Sequence, residues 1–391
     1  MIELLAPCHD WATLKAGIDS GANAVYFGIN SLSMRMNAKD FKSKDLKKIA
    51  QHCHSNKAKA YLTLNSIIYE NELKKSEKII KQAKVAGIDA IIIQDLGLIP
   101  ILKKNKMKFH ISTQASASNS ESANTYKKLG ADRVILAREV SLKDLARIVK
   151  NSKIDLEVFI HGAMCASISG RCFLSGAIYN KSADRGECMQ PCRQEWTVKN
   201  KYGELIYDNE RFMNAKDLCT ITFLDKIIKA GVKSLKIEGR MKDANYISTV
   251  VKIYRQAIDN YDKPKINSWL KELSKVYNRG FSAGFYLGKP TSKDIEYEKD
   301  GSISKTRKIP IGTVKNYYKR LGVAEIHLNH NDLSIDDEII IEGKTTFLKQ
   351  KIESIEINKK SVNKAVKGQS AAIKIKGTAR KNDLIFKLSN F

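Results

Sequence analysis

Eight mostly apolar runs punctuate the first 240 residues: IELLAPC (2–8), AVYFG (24–28), KAYLTLN (59–65), AIIIQD (90–95), KFHISTQ (108–114), RVILARE (133–139), LEVFIHG (156–162) and SLKIEGR (234–240). They are nearly continuous rather than alternating, as parallel strands covered on both faces require. Amphipathic stretches separate them, such as 43–55 and 71–87. In the second, Leu73, Ile79, Ile80, Ala83, Val85 and Ala86 form an apolar stripe, and Gly87 follows as a C-cap. Gly21, Gly87, Gly130 and Gly231 each precede a strand, where the turn out of a helix calls for positive φ. Eight β/α units in about 250 residues predict an α/β fold of the TIM type, a (β/α)8 barrel, with an open doubly wound sheet as runner-up.

The seventh and eighth runs begin at residues 156 and 234, much the widest step. The excess predicts an insertion over 163–216 at the C-terminal end of strand seven, the face where barrel enzymes place their chemistry. It contains a hairpin signal at 195–209. Residues 263 onward read as a helix and then a glycine- and aromatic-rich stretch that ends the barrel domain (1–290). Residues 291–308 are polar and read as a linker, and 309–391 carry about six short strands, predicting a small basic β-barrel.

Charge narrows the partners. Lys plus Arg is 68 against 42 Asp plus Glu, a net +26. Such an excess favours a polyanion, nucleic acid first, although lysine-rich usage can also be compositional. No apolar run approaches the ~18 residues of a membrane span, and no export signal is seen, so a cytoplasmic protein off the membrane is expected. Thiols stay reduced there, and a local cysteine group points to metal or catalysis. Four of the seven cysteines, Cys165, Cys172, Cys188 and Cys192, fall inside the insertion with spacing C-x(6)-C-x(15)-C-x(3)-C. That pattern leaves an iron–sulfur cluster, a zinc site and unligated thiols open. Cys53 reads as core, while Cys8 and Cys219 are candidates for a replacement ligand. Gly162, Gly170 and Gly176 would let backbone approach a cofactor. Arg171, Arg185 and Arg193 could offset its charge or grip phosphate.

In barrel register the strands end in polar residues: Cys8 and His9, then Asn30 and Arg35, Asn65, Gln94 and Asp95, Gln114, Arg138 and Glu139, His161, and Glu238 with Arg240. By type, His161 and Glu238 make the acid/base pair, with Arg240 beside them. Arg138 and Arg240 suit a carboxylate or phosphate, and Arg35, Asn65, Gln114, Arg171 and Arg193 complete a substrate-binding set. Each also has a purely structural reading, His161 as a satisfied core histidine, Glu238 and Arg240 as a local ion pair. No H-E-x-x-H, G-x-S-x-G or phosphate-binding glycine loop occurs.

The stretches EVFIHGAMC (157–165), SGRCFLS (169–175) and RGECMQPCR (185–193) together resemble the signature of the collagenase-like peptidase family (peptidase family U-thirty-two). GANAVYFG (21–28), SMRMNAKDF (33–41), STQAS (112–116), SLKIEGRMK (234–242) and YNRGFSAGF (277–285) extend the likeness over nearly the whole chain. The resemblance implies a 4Fe–4S cluster on the four insertion cysteines. The intact R-G-x-C-x-Q-P-C-R is most similar to the branch that hydroxylates tRNA to 5-hydroxyuridine at the wobble position, with prephenate as a dicarboxylate cosubstrate. A peptidase, as the family name has it, and a non-catalytic RNA-binding factor with structural zinc are the alternatives. Cys8 departs from the family's small or polar residue after the proline.

Overall fold

A computed structural model describes residues 2–29, 32–34, 41–239 and 241–390. Every apolar run contains a strand: β1 (Glu3–Pro7), β2 (Ala24–Phe27), β3 (Lys59–Leu64), β4 (Ala90–Ile93), β5 (Phe109–Ile111), β6 (Arg133–Ile135) and β7 (Asp155–Gly162). The insertion then gives an antiparallel hairpin, β8 (Trp196–Lys199) and β9 (Leu205–Glu210), and a short β10 (Asp217–Cys219) before β11 (Ser234–Ile237). Strands β1 to β7 pair in order, all parallel, and β11 pairs in parallel with both β7 and β1. The eight-stranded ring is therefore closed, which rules out the open sheet.

Sequence signals set the helices. Asp10, Asn119, Ser141 and Asp243 each accept a first-turn amide as N-cap. Gly87 ends the helix Leu73–Ala86 at φ 82°, a conformation that costs other residues strain.

A charged layer crosses the apolar ring. Arg133 bridges Glu3 and Glu157, whose other oxygen lies 3.1 Å from Lys236 Nζ. Tyr61 donates to Glu3 at 2.8 Å. Two carboxylates and two cations sum to zero, so the layer buries no net charge. Burial, and then Arg133, push the neighbouring His110 well below the usual imidazole range.

The C-terminal residues form an antiparallel sheet of eight strands, beginning with Thr306–Tyr318 and ending with Leu384–Asn390, around their own core of Ile311, Ile326, Ile339, Ile373 and neighbours. The sheet curls: Gln350, on one edge strand, donates to Lys374 O at 2.9 Å and accepts from Lys376 N at 2.7 Å. Ile340 and Phe347 pack into the barrel's core. Residues 291–308 do not hang as a free tether. Lys216 N donates to Asp294 O, Glu296 N to Asn214 O, and strand structure begins at Thr306. No helix among the described residues is long and apolar enough to cross a membrane.

Candidate active site at the barrel mouth

β7 is the longest barrel strand, and its upper part makes the site. β6 pairs only with Asp155–Glu157, so the edge above is taken by β10, antiparallel, with Leu218 opposite Gly162 and Cys219 opposite His161. On the other side β7 meets β11 so closely that a Cβ on Gly162 would lie 2.6 Å from Glu238 O, at φ 108°. Three side chains fix the backbone just before the first insertion cysteine. Glu238 accepts from Ala163 N, Arg138 Nη1 donates to Ala163 O at 2.6 Å, and Arg193 donates to Met164 O.

The insertion then folds over the mouth as a roof. Asp184 accepts from Ile67 N at 3.0 Å and Gln94 Nε2 at 2.9 Å, and Arg185 makes a two-pronged pair with Glu72 while donating to Ile67 O. Arg193 closes the loop by also donating to Asn214 Oδ1 and Ala215 O, tying its two roots together next to Cys192.

Beneath this roof lies a cavity of about 740 Å³. Cys165, Cys188 and Cys192 line it, with Asn65, Gln114, Arg138, Lys236, Glu238, Lys242 and Arg279 from the barrel, and Arg307 and Lys308 from the C-terminal strand. Asn65 donates to Ser112 and Gln114, forming a polar rim at the ends of β3 and β5. Cys192 lies within electrostatic reach of the other three insertion thiols. Burial raises the Cys192 pKa, Arg193 opposes, and Cys165, Cys188 and Cys172 raise it further. Gln190 N, in the left-handed region, donates to Cys188 Sγ at 3.4 Å. Among the described residues no three Cys, His, Asp or Glu side chains converge tightly enough to ligate a single metal ion.

Several expected residues meet here and others do not. Asn65, Gln114, Arg138, Glu238 and three of the cysteines share the cavity, while Cys172 is not among its lining residues. His161 does not line it. Its ring is enclosed by Tyr246, Tyr254 and Phe281, its Nδ1 lies 3.3 Å from Tyr254 Oη, and burial pushes its pKa down to about 3. A neutral, enclosed imidazole cannot serve as the acid/base group, so that expectation is corrected. Arg193 faces the cavity but spends both terminal nitrogens on backbone and Asn214, which makes it a clamp rather than a substrate ligand. Arg171 is exposed and donates to Gln114 O at 3.4 Å, outside the lining. Cys8, Cys53 and Cys219 are buried in the core, so neither Cys8 nor Cys219 is a replacement ligand. Arg35 and Arg240 lie outside the described residues.

Strand-end reasoning missed Lys242, Tyr277 and Arg279. Lys242 Nζ sits 3.1 Å from the centroid of the Tyr277 ring, and Arg279 pairs with buried Asp217 at 3.1 Å. Burial brings the Lys242 pKa down to about 8, against the pull of Asp217 and Glu238. The signal was present, because these residues belong to SLKIEGRMK and YNRGFSAGF.

Known proteins are similar in sequence over most of this chain. A collagenase of Porphyromonas gingivalis is 38% identical over 98% of this chain and 97% of its own. An uncharacterised protease of Methanocaldococcus jannaschii is 42% identical over 99% and 98%. A tRNA hydroxylation protein of Bacillus subtilis is 34% identical over 81% of this chain and 77% of its own. The sequence profile of Peptidase family U32 matches residues 9–296, which hold the roof and the barrel strands from β2 onward. On that match and those relatives, the chain belongs to peptidase family U32.

Proposed function

We propose that the protein is an RNA-modifying enzyme that hydroxylates a tRNA uridine to 5-hydroxyuridine at the wobble position, with an iron–sulfur cluster at the barrel mouth and prephenate as cosubstrate. The observation that carries the reading is the gathering of three insertion cysteines, Cys165, Cys188 and Cys192, with the cations Arg138, Lys236, Lys242 and Arg279 on one cavity. The donor set fits a 4Fe–4S cluster. The charges of Cys165, Cys188 and Cys172 all reach Cys192, so the four thiols share one neighbourhood, and a cubane offers each thiolate its own iron. Cys165, Cys172, Cys188 and Cys192 would hold it, and the Gln190 amide would bond a ligating sulfur. When bound, such a cluster supplies one-electron chemistry.

The chain's own residues prepare the rest. An unstacked loop base enters beside Asn65 and Gln114, whose amide edges can read a pyrimidine. Arg138 offers its guanidinium to a carboxylate, since its Nε is buried without a partner. Glu238 is positioned at the cavity wall to carry a proton. Lys and Arg of the C-terminal sheet attract the phosphate backbone. The tRNA hydroxylation relative supports this reading. The test is nucleoside analysis of tRNA from a strain lacking the gene: 5-hydroxyuridine derivatives should disappear and return on complementation, and their persistence would refute the proposal.

The collagenase relative favours a second reading, a peptidase. No histidine is among the described residues lining the cavity, so no serine or cysteine there has an imidazole base. Cleavage of a peptide by purified protein, abolished by one cavity substitution, would establish it.

A further inference from the structure

We propose that Lys242 forms an imine with a 2-oxo acid whose carboxylate is held by Arg279. The inference rests on the mouth cavity being the active site, but not on RNA being the substrate. Lys242 Nζ lies against the Tyr277 ring and has no ion pair or hydrogen-bond acceptor among the described residues. Its amine is desolvated within the cavity, with a pKa near 8, so a useful fraction is neutral and nucleophilic at physiological pH. The charged groups that face it are Asp217, Glu238, Arg279 and Arg193.

Arg279 stands against the same aromatic ring, its guanidinium carbon 5.4 Å from the centroid, and is braced by Asp217. Amine and guanidinium thus share one aromatic ring and one cavity lining. A 2-oxo acid carries its carbonyl carbon one bond from its carboxylate, which matches that juxtaposition. An independent feature also asks for a ligand. Asn245 lines the cavity, is 7% exposed, and its Oδ1 is buried with no hydrogen-bond partner. An acceptor there suits the hydroxyl of a carbinolamine or the N–H of the imine.

The step balances without an oxidant. The Nζ lone pair attacks the carbonyl carbon, and the carbonyl oxygen takes up a proton to give the carbinolamine. Glu238 relays a proton from nitrogen to that hydroxyl, which departs as water while the nitrogen lone pair forms the C=N bond. One proton is taken up from solvent, one water is released, and no electrons are exchanged. The resulting iminium draws electron density from the bound acid, and hydrolysis returns the free amine.

The test is reductive trapping. Full-length protein is incubated with pyruvate or phenylpyruvate and cyanoborohydride, then digested and mapped by mass spectrometry. The expected result is one reduced adduct per chain, located on Lys242. Acetone, which lacks the carboxylate, should trap at least about tenfold less efficiently, the value of one charge-assisted hydrogen bond. Lys242→Arg should show no adduct at matched circular dichroism. If that variant misfolds, the peptide map of the natural protein still decides. Absence of an adduct, or trapping spread evenly over surface lysines, would overturn the proposal. An adduct on Lys242 in a protein that leaves tRNA unmodified would sink the RNA reading and leave this one standing.

Discussion

Burial decides what individual residues can do here. His161 looks like a catalytic base in the sequence, at the end of a barrel strand beside a cysteine-rich insertion. Its aromatic cage instead makes protonation unfavourable, shifting its pKa from 6.5 to about 3. Above pH 6.5 neither folded nor unfolded chain takes the proton, and the full stability is present. Between 6.5 and about 3 only the unfolded chain binds it, so stability falls with falling pH, by up to about 1.4 kcal/mol per pH unit. Below the lower value the slope ends. Denaturant midpoints from pH 7 to 4 should therefore drop less steeply in His161→Phe than in the natural protein. An identical slope would show that the imidazole is not neutral in the fold. What the sequence hid was rotation: a strand end fixes where a residue sits along the barrel, not whether its side chain points up into the mouth or sideways into packing.

Elements were more legible than side chains. Eight runs of apolar residues announced eight strands because parallel strands covered on both faces tolerate few polar positions. The insertion was legible as excess length between β7 and β11. Its path was not, since it depends on polar contacts distant in sequence, Asp184 with Gln94 and Arg185 with Glu72. Arg193 ranked as a substrate ligand because its type suits anions, yet the loop's two roots consume its donors. The close approach of β7 and β11 gives a sharp prediction. Gly162→Ala forces a methyl group to within 2.6 Å of Glu238 O at a φ that side chains avoid. We expect a loss of about 2 kcal/mol or more, read as a lower thermal midpoint, together with weaker cavity chemistry because Glu238 is displaced. Full stability in that variant would mean the strand tips are not so tightly joined.

The C-terminal sheet lines part of the cavity rather than standing as an appendage. The 291–308 segment was expected to be a tether because it is polar, but its backbone pairs with the root of the insertion, and Arg307 and Lys308 form a cavity wall. Lys308 bridges Asp243 of the barrel at 2.9 Å and Glu342 of the sheet at 2.6 Å. Lys308→Met should lower stability by about 1 kcal/mol and separate the calorimetric unfolding of the two parts. A single unshifted transition would contradict the coupling. The net charge of +26 predicts RNA binding that weakens at least about tenfold between 50 and 200 mM salt, measured by fluorescence anisotropy with an anticodon-loop RNA. Salt-independent binding would remove the electrostatic argument.

Metal analysis of anaerobically prepared protein decides whether the four insertion thiols hold the proposed iron–sulfur cluster at the barrel mouth. We expect about four irons and four sulfides per chain with a broad visible absorption, all lost in Cys192→Ser. One zinc per chain, or iron that survives that substitution, would contradict it.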